Sequence, residues 1–280
     1  MVSPVILAVL SMLATGFADF IYKRARVKGA APALFLLYQS ISFNATNMAF
    51  VVYSGSVNIT LVTIIFGASC ASLVYLSVYI FLKSLGLGQA STNVPIFRLS
   101  FIITAVLALL FLHESATFGR MLAVGLAALS ILTLSSSFRS SPTSFTAVLQ
   151  LAFATSAYGL FGVLYKIAIT MGSSPVGILV VQGMFFITYA FLAAKREGPI
   201  VKSRRILVHA PICGILFSSS YLLLLESLKH GDVSVSFSIV QLSFIVTSFL
   251  AMLVWREEFQ VRSVLGIILA VLAVLSFAYP

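Results

Sequence analysis

Arg98 stands inside an apolar run, between Pro95-Ile96-Phe97 and the stretch LSFIITAVLALLF. A cation at the centre of a bilayer costs about 2.5–3.5 kcal/mol on insertion scales, so an arginine held there is a functional candidate by default. Its planar fork can bind a carboxylate, a phosphate or another anionic group. The competing reading is an arginine that snorkels, or that pairs with an acid or a helix C-terminus between packed helices. Gln241 holds the corresponding place in a second, related run. Pro95 removes a backbone donor and frees a carbonyl. With Thr92 and Asn93 beside it, the spacing predicts a helix divided at Pro95 and opened toward a solute, or a kink that serves packing alone. Ser234, Ser236 and Ser238 occupy the equivalent stretch downstream.

Asp19 lies four residues before Lys23. That spacing suits a surface i,i+4 ion pair; the sharper reading is a protonatable coupling site. Glu226, with Lys229 nearby, poses the same choice. Gln39 and Gln182 are equivalent positions that can hold two halves together or touch a solute. Tyr75, Tyr79, Tyr158 and Tyr221 lie within apolar runs and can wall a pocket for a planar or amphipathic solute. Glu114 and Glu257 close two such runs, near Arg120 and Arg262, and are expected to shape the loops that follow.

Other chemistry finds no footing. His113, His209 and His230 are scattered without metal-ligand spacing. There is no HExxH, no Gly-rich phosphate loop and no GxSxG elbow. Cys70 and Cys213 sit in apolar runs and are expected to pack as small residues rather than bridge. No catalytic residue, metal or other cofactor is expected. Without an ATP site, uphill movement of a solute must draw on a gradient or on exchange.

The elements that position these residues follow from composition. The 280 residues are 60% hydrophobic and 9% charged, against about 25% charged in a soluble domain. This excludes a soluble enzyme, a disordered chain and a secreted disulfide scaffold. Turn signals and charges divide the chain into ten apolar segments: 4–22, 32–54, 59–82, 91–112, 117–137, 144–165, 175–194, 206–226, 233–254 and 261–279. Most are near the roughly 20 residues that cross a bilayer as a helix. A barrel would need strands of about 10 residues alternating in polarity, so the expectation is an all-α membrane protein of ten transmembrane helices. The first segment lacks a basic leader and is expected to be a membrane helix rather than a signal peptide. Pairs such as Ala123/Ala127 and Gly266/Ala270 permit close helix contact.

The chain repeats itself at an offset of 143 residues. From Ser84, SLGLGQASTNVPIFRLSFIITAVLALLFLHE aligns without a gap to SLKHGDVSVSFSIVQLSFIVTSFLAMLVWRE from Ser227, with 14 identities in 31 positions. The same offset pairs Tyr22-Lys23 with Tyr165-Lys166, Pro32 with Pro175, Gln39 with Gln182 and Cys70 with Cys213. The two copies are expected at 1–138 and 144–280. Five spans per copy is odd, so the second enters the membrane from the opposite side and the repeats are inverted, a common build of secondary transporters with a site between the repeats.

The fourth span of each copy and its exit, ending in Glu114 and Glu257, together with the Tyr-Lys ends of the first and sixth spans, resemble the EamA type of the drug/metabolite transporter superfamily. The family closes this segment with Gly-Glu; here the pairs are His113-Glu114 and Arg256-Glu257. The resemblance covers essentially the whole chain and implies transport of a small metabolite.

Of the 17 Lys and Arg, thirteen fall on the side reached after the first span, three on the other, and Arg98 lies within a span. The positive-inside rule puts the rich side in the cytoplasm and both termini outside, whereas ten-helix relatives more often resemble proteins with termini inside. The expected function is a secondary carrier for an amino acid, organic acid or related amphipathic solute, working by alternating access with proton coupling or exchange. A multidrug or cationic solute exporter and a non-transporting scaffold are the alternatives. The expected setting is a bacterial or archaeal inner membrane. The expected partners are the solute and the bilayer, with a homodimer compatible and nucleic acid not involved.

Overall fold

The computed structural model describes residues 3–25, 32–55, 57–87, 96–134, 145–197, 204–255 and 261–278. The first half contributes α1 (Pro4–Ala25), α2 (Pro32–Ser54), α3 (Leu61–Leu87), α4 (Ser100–Phe111) and α5 (Phe118–Leu134). The second contributes α6 (Phe145–Thr170), α7 (Pro175–Glu197), α8 (Arg204–His230), α9 (Val233–Gln241), α10 (Ser243–Trp255) and α11 (Val261–Ala278). Among the described residues every regular element is a helix. Among the described residues five helices carry apolar stretches long enough to cross a membrane, and shorter apolar helices cover 96–111, 118–133, 233–247 and 264–277. The side chains on the outside are those of a lipid-facing surface: Leu10, Phe17, Ile65, Phe191, Ile268 and Leu275 are all exposed.

The span α2 is rich in uncharged polar residues, with Gln39, Ser40, Ser42, Asn44, Thr46 and Asn47 on one helix. A helix of this composition is tolerated in a membrane where neighbouring helices satisfy its polar groups. It packs on α7 and α8. Asn44 Nδ2 donates to the Gly183 carbonyl at 3.0 Å. Asn47 Nδ2 donates to the Leu179 carbonyl at 2.9 Å and its Oδ1 accepts Ser218 Oγ at 2.6 Å.

The halves are interleaved rather than side by side. α1 packs on α8 and α10, and α2 on α8; in the same way α6 packs on α3 and α4, and α7 on α3. Two bundles result, each built from the first two spans of one half and the third and fourth of the other. The axis is crossed by α2 on α7, by α4 on α9 and by α5 on α11. A half of the sequence is therefore not a body that could rock as a unit.

Reciprocal hydrogen bonds register the pseudo-two-fold. Ser77 Oγ donates to the Ala154 carbonyl at 2.7 Å, and its mate Ser220 donates to Ser11, the mate of Ala154, at 3.0 Å. Thr104 Oγ1 reaches the Gly159 carbonyl at 2.7 Å, and Thr247 reaches that of Gly16 at 2.9 Å. Cys70 and Cys213, both unbridged and buried, point their sulfurs at the equivalent carbonyls of Phe161 and Ala18.

The fourth and ninth spans are each broken. Leu99 N–H bonds to the Ile96 carbonyl at 3.2 Å, and Leu242 N–H to that of Ile239 at 3.0 Å, three residues back instead of four. Pro95, with Ser91, Thr92 and Asn93, lies outside the described residues. The break at Leu242 has Ser238 where the first half has Pro95, so proline is not its common cause; the break belongs to the shared Leu-Ser-Phe-Ile sequence. Just beyond it, the Ser100 and Ser243 carbonyls press on glycines of the opposite half: a Cβ on Gly159 would stand 2.6 Å from the first, and one on Gly16 2.7 Å from the second.

Candidate solute-binding site

Arg98 and Gln241 end the first helical piece of each broken span, immediately before the turn. Both are buried, and Arg98 Nη1 donates to Gln241 Oε1 at 2.9 Å. Gln241 Nε2 passes the chain on to Ser100 Oγ at 2.8 Å. Arg98 Nη2 is bonded to the carboxylate of Asp19 on α1, which also accepts Ser243 Oγ at 3.2 Å. The Nε of Arg98 is buried without a partner. The side chain of Arg98 is 9% exposed and that of Asp19 19%, so the acid is the more accessible member.

Asp19 pairs with Arg98, 79 residues away; the side chain of Lys23, the partner in the i,i+4 reading, lies outside the described residues. Arg98 holds an acid of its own, as one of its two sequence readings anticipated.

The repeats differ at the site. The mate of Arg98 is Gln241 and the mate of Asp19 is Gly162. The space a side chain at 162 would need is taken by the Phe237 ring, 2.9 Å from a Cβ built there. One half carries an ion pair; its counterpart carries an amide and an aromatic ring.

Aromatic side chains pack beside the pair. The ring of Phe97 lies 4.9 Å from that of Tyr158, which contacts Phe161 at 4.9 Å and Phe237 at 6.0 Å. Tyr158 Oη and Tyr221 Oη are 3.3 Å apart. Two of the four tyrosines anticipated as a wall thus meet each other, and one of them packs on Phe97, the sequence neighbour of Arg98.

Tyr75 and Tyr79 are elsewhere. They stack on each other between α3 and α7, with Phe186 and Tyr189. Tyr79 Oη donates to Glu197 Oε1 at 2.7 Å, and Glu197 Oε2 accepts the Ala33 amide at the start of α2. Membership of an apolar run did not reveal which face of α3 they share. Gln39 and Gln182 do not meet across the axis: each accepts the hydroxyl of a tyrosine in its own half, Tyr22 and Tyr165. The cross-axis bonds come instead from Asn44 and Asn47, signalled in the sequence only by two amides in an apolar span. Ser238 bonds back to the Ser234 carbonyl of its own helix at 2.5 Å, and Asn93 lies outside the described residues. Glu226 pairs with Lys229 at 2.8 Å on the surface.

One end of the molecule is tied by a second set of polar contacts. Glu114 accepts the Val233 and Ser234 amides at 2.7 and 3.1 Å and the Ser234 hydroxyl, so a carboxylate of the first half caps the N-terminus of α9. Arg120 pairs with Asp232 at 2.6 Å. Lys166 Nζ, from the Tyr-Lys motif, donates to the Leu228 and Gly231 carbonyls at 2.8 and 2.7 Å and neutralises the C-terminus of α8.

The model of the EamA-like transporter family matches the chain twice, over residues 2–136 and 145–279. No curated protein matches it. Among the solved structures is a protein crystal structure 10% identical that superposes with a TM-score of 0.81, over 98% of this chain and 95% of that one; it shares the fold. A doubly matched family model, ten spans in two inverted repeats and a buried charged pair at the axis agree with one another: this multi-pass membrane protein belongs to the EamA-like transporter family.

Proposed function

We propose that the protein is a secondary carrier that moves a small metabolite, an amino acid, organic acid or related amphipathic solute, by alternating access, and that Arg98, Asp19 and Gln241 form the centre of its solute site. The observation that carries this reading is the Asp19–Arg98–Gln241 chain, which joins the two repeats at the axis and whose ion pair is present in one repeat only. A scaffold gains nothing from a charged pair there, since a buried ion pair is at best a weak stabiliser. A carrier needs an asymmetric polar centre inside a symmetric frame.

Tyr158 and Tyr221 form the apolar side of the site and Gln241 orients the arginine. The moving bodies are the two interleaved bundles, and the Glu114 and Lys166 contacts, which join them at one end, hold that end closed. Solute binding breaks no covalent bond, and the gradient or a counter-solute supplies the work. The repeats at 1–138 and 144–280 act as one unit. The thirteen-cation side faces the cytoplasm of a bacterial or archaeal cell, leaving both termini outside. A homodimer is compatible with the broad apolar exterior.

Purified protein in proteoliposomes tests the reading. Flux of at least one labelled amino or organic acid is expected, lost in Arg98→Ala. Absence of flux for the whole panel, with correctly folded protein and either an imposed proton gradient or preloaded counter-solute, overturns it.

A further inference from the structure

Within a buried arginine–aspartate pair the partners are not equivalent. The carboxylate can be neutralised by a proton; the guanidinium cannot lose one. An incoming cation that took Asp19 would strand a buried positive charge on Arg98. An incoming anion that takes Arg98 leaves Asp19 free to accept a proton, and the total charge of the site is unchanged. The geometry provides for the second event: Arg98 keeps a buried Nε with no partner beside the Nη2 that Asp19 occupies, and those two donors together form the edge that grips a carboxylate in bidentate fashion. Asp19 is the more exposed of the two and the one whose charge a proton can neutralise.

We infer that Asp19 is a built-in competitor for the solute's anionic group, so that this carrier binds a monoanion, with a carboxylate or similar head and an apolar body, together with one proton. This rests on the carrier reading above and narrows its substrate class. The exchange is balanced: the Arg98–Asp19 bond opens, the solute oxygens take Nη2 and Nε, and one proton from water ends on the Asp19 carboxyl. Ser243 Oγ remains beside that carboxyl at 3.2 Å, and Gln241 holds Nη1 throughout. Among the described residues, Arg98 and Ser243 bond the Asp19 carboxylate, and its charge is felt by Tyr22 on its own helix, Tyr158 on α6 and Cys213 on α8; phenols and thiols are neutral at ordinary pH and the guanidinium keeps its proton, so Asp19 is the group that takes the proton.

The test is titration calorimetry on the full chain in detergent with two probes of one shape and opposite charge, benzoate and benzylammonium, and with phenylalanine as a zwitterion. Benzoate is expected to bind wild type with an affinity that falls about tenfold per pH unit above the point where Asp19 ionises, the slope of one linked proton. Asp19→Asn is expected to bind it with no pH slope, and Arg98→Ala in that background to lose it. The wild-type slope stands as a test even if the variants fold poorly. A flat pH profile in wild type, failure of folded Asp19→Asn to bind benzoate, preference for benzylammonium, or pH-independent binding of phenylalanine alone each overturns the inference. Proton-linked benzoate binding without flux in proteoliposomes would instead overturn the carrier reading; flux without the slope would overturn this inference and leave the carrier.

Discussion

Arg98 and Gln241 are equivalent positions of the two repeats, and they are bonded to each other at 2.9 Å. Two mates can touch only where the pseudo-two-fold passes between them, so this bond marks the axis. In a fully symmetric frame the same place would join two identical residues; here the two differ, and Asp19 has no acidic counterpart because Gly162 stands opposite.

The first prediction concerns that divergence. Asp19→Asn strands the Arg98 charge and Arg98→Gln strands the carboxylate. Breaking a buried pair from one side costs about 3–5 kcal/mol, and the residual exposure of Asp19 places these near the lower end. Arg98→Gln with Asp19→Asn removes both charges and leaves two amides able to bond. Its loss is expected to fall short of the sum of the singles by at least about 1 kcal/mol. Thermal unfolding in detergent measures all four; simple additivity would show that the pair does not couple.

Gly159→Ala is the second. The added methyl would stand 2.6 Å from the Ser100 carbonyl and 2.9 Å from Ile103 Cβ, and a backbone oxygen cannot swing aside. Overpacking of this kind costs about 1–3 kcal/mol. Gly16→Ala meets Ser243 and Val246 in the same way and should lose a similar amount. Gly125→Ala, with open space around it, is the control and should be within about 0.5 kcal/mol of wild type.

His113 occupies the position where the family resemblance led one to expect glycine, and its φ is 52°, in the left-handed region that costs an ordinary side chain about 1–2 kcal/mol. His113→Gly should raise stability by about 0.5–1 kcal/mol, the relief of strain outweighing the freer unfolded chain, with the Glu114 cap unchanged. A lower melting temperature would mean that the imidazole makes a compensating contact.

These sites differ in how far they could be read beforehand. The spans and the 143-residue offset were legible because a bilayer dictates length and polarity, and because Gln, Pro and Cys held register where leucines alone would not. The inverted frame followed from an odd number of spans. What the pattern could not carry was which faces meet. The spacing rule for Asp19 looks four residues ahead to Lys23, while its partner lies 79 residues on. Tyr79 and Tyr158 sit in equally apolar runs, yet one bonds Glu197 at the end of α7 and the other packs on Phe97, beside the broken span. Interleaving is a property of three-dimensional packing between segments that, one by one, read alike.

Asn47→Ala removes a donor to Leu179 and an acceptor for Ser218 at a position where the second half has Ala190. Interhelical hydrogen bonds in membranes average about 0.6 kcal/mol with a maximum near 1.7. Two bonds, and a buried serine left without its acceptor, place this substitution at about 1–2 kcal/mol, measured by the same unfolding assay. Asn47→Asp keeps the acceptor, loses the donor and buries a charge, and should be worse than alanine.

Glu114 offers the sharpest separation of stability from motion. Its carboxylate caps α9 from the opposite bundle, so it stabilises one end of the molecule only while the bundles are together there. Glu114→Ala should cost about 1 kcal/mol as a lost cap. It should also raise the fraction of time that end is open, because the capping contact is absent from the open form and its removal shifts the equilibrium by the same free energy, about fivefold for 1 kcal/mol. A cysteine placed at Ser236, buried here beside Ser227, reports on opening through its rate of reaction with a membrane-impermeant maleimide. The rate should rise severalfold in Glu114→Ala, and by less in Glu114→Gln, which keeps an amide oxygen for one of the two backbone donors. An unchanged labelling rate alongside a lowered melting temperature would make Glu114 a cap and nothing more, and would remove it from the moving parts of the carrier.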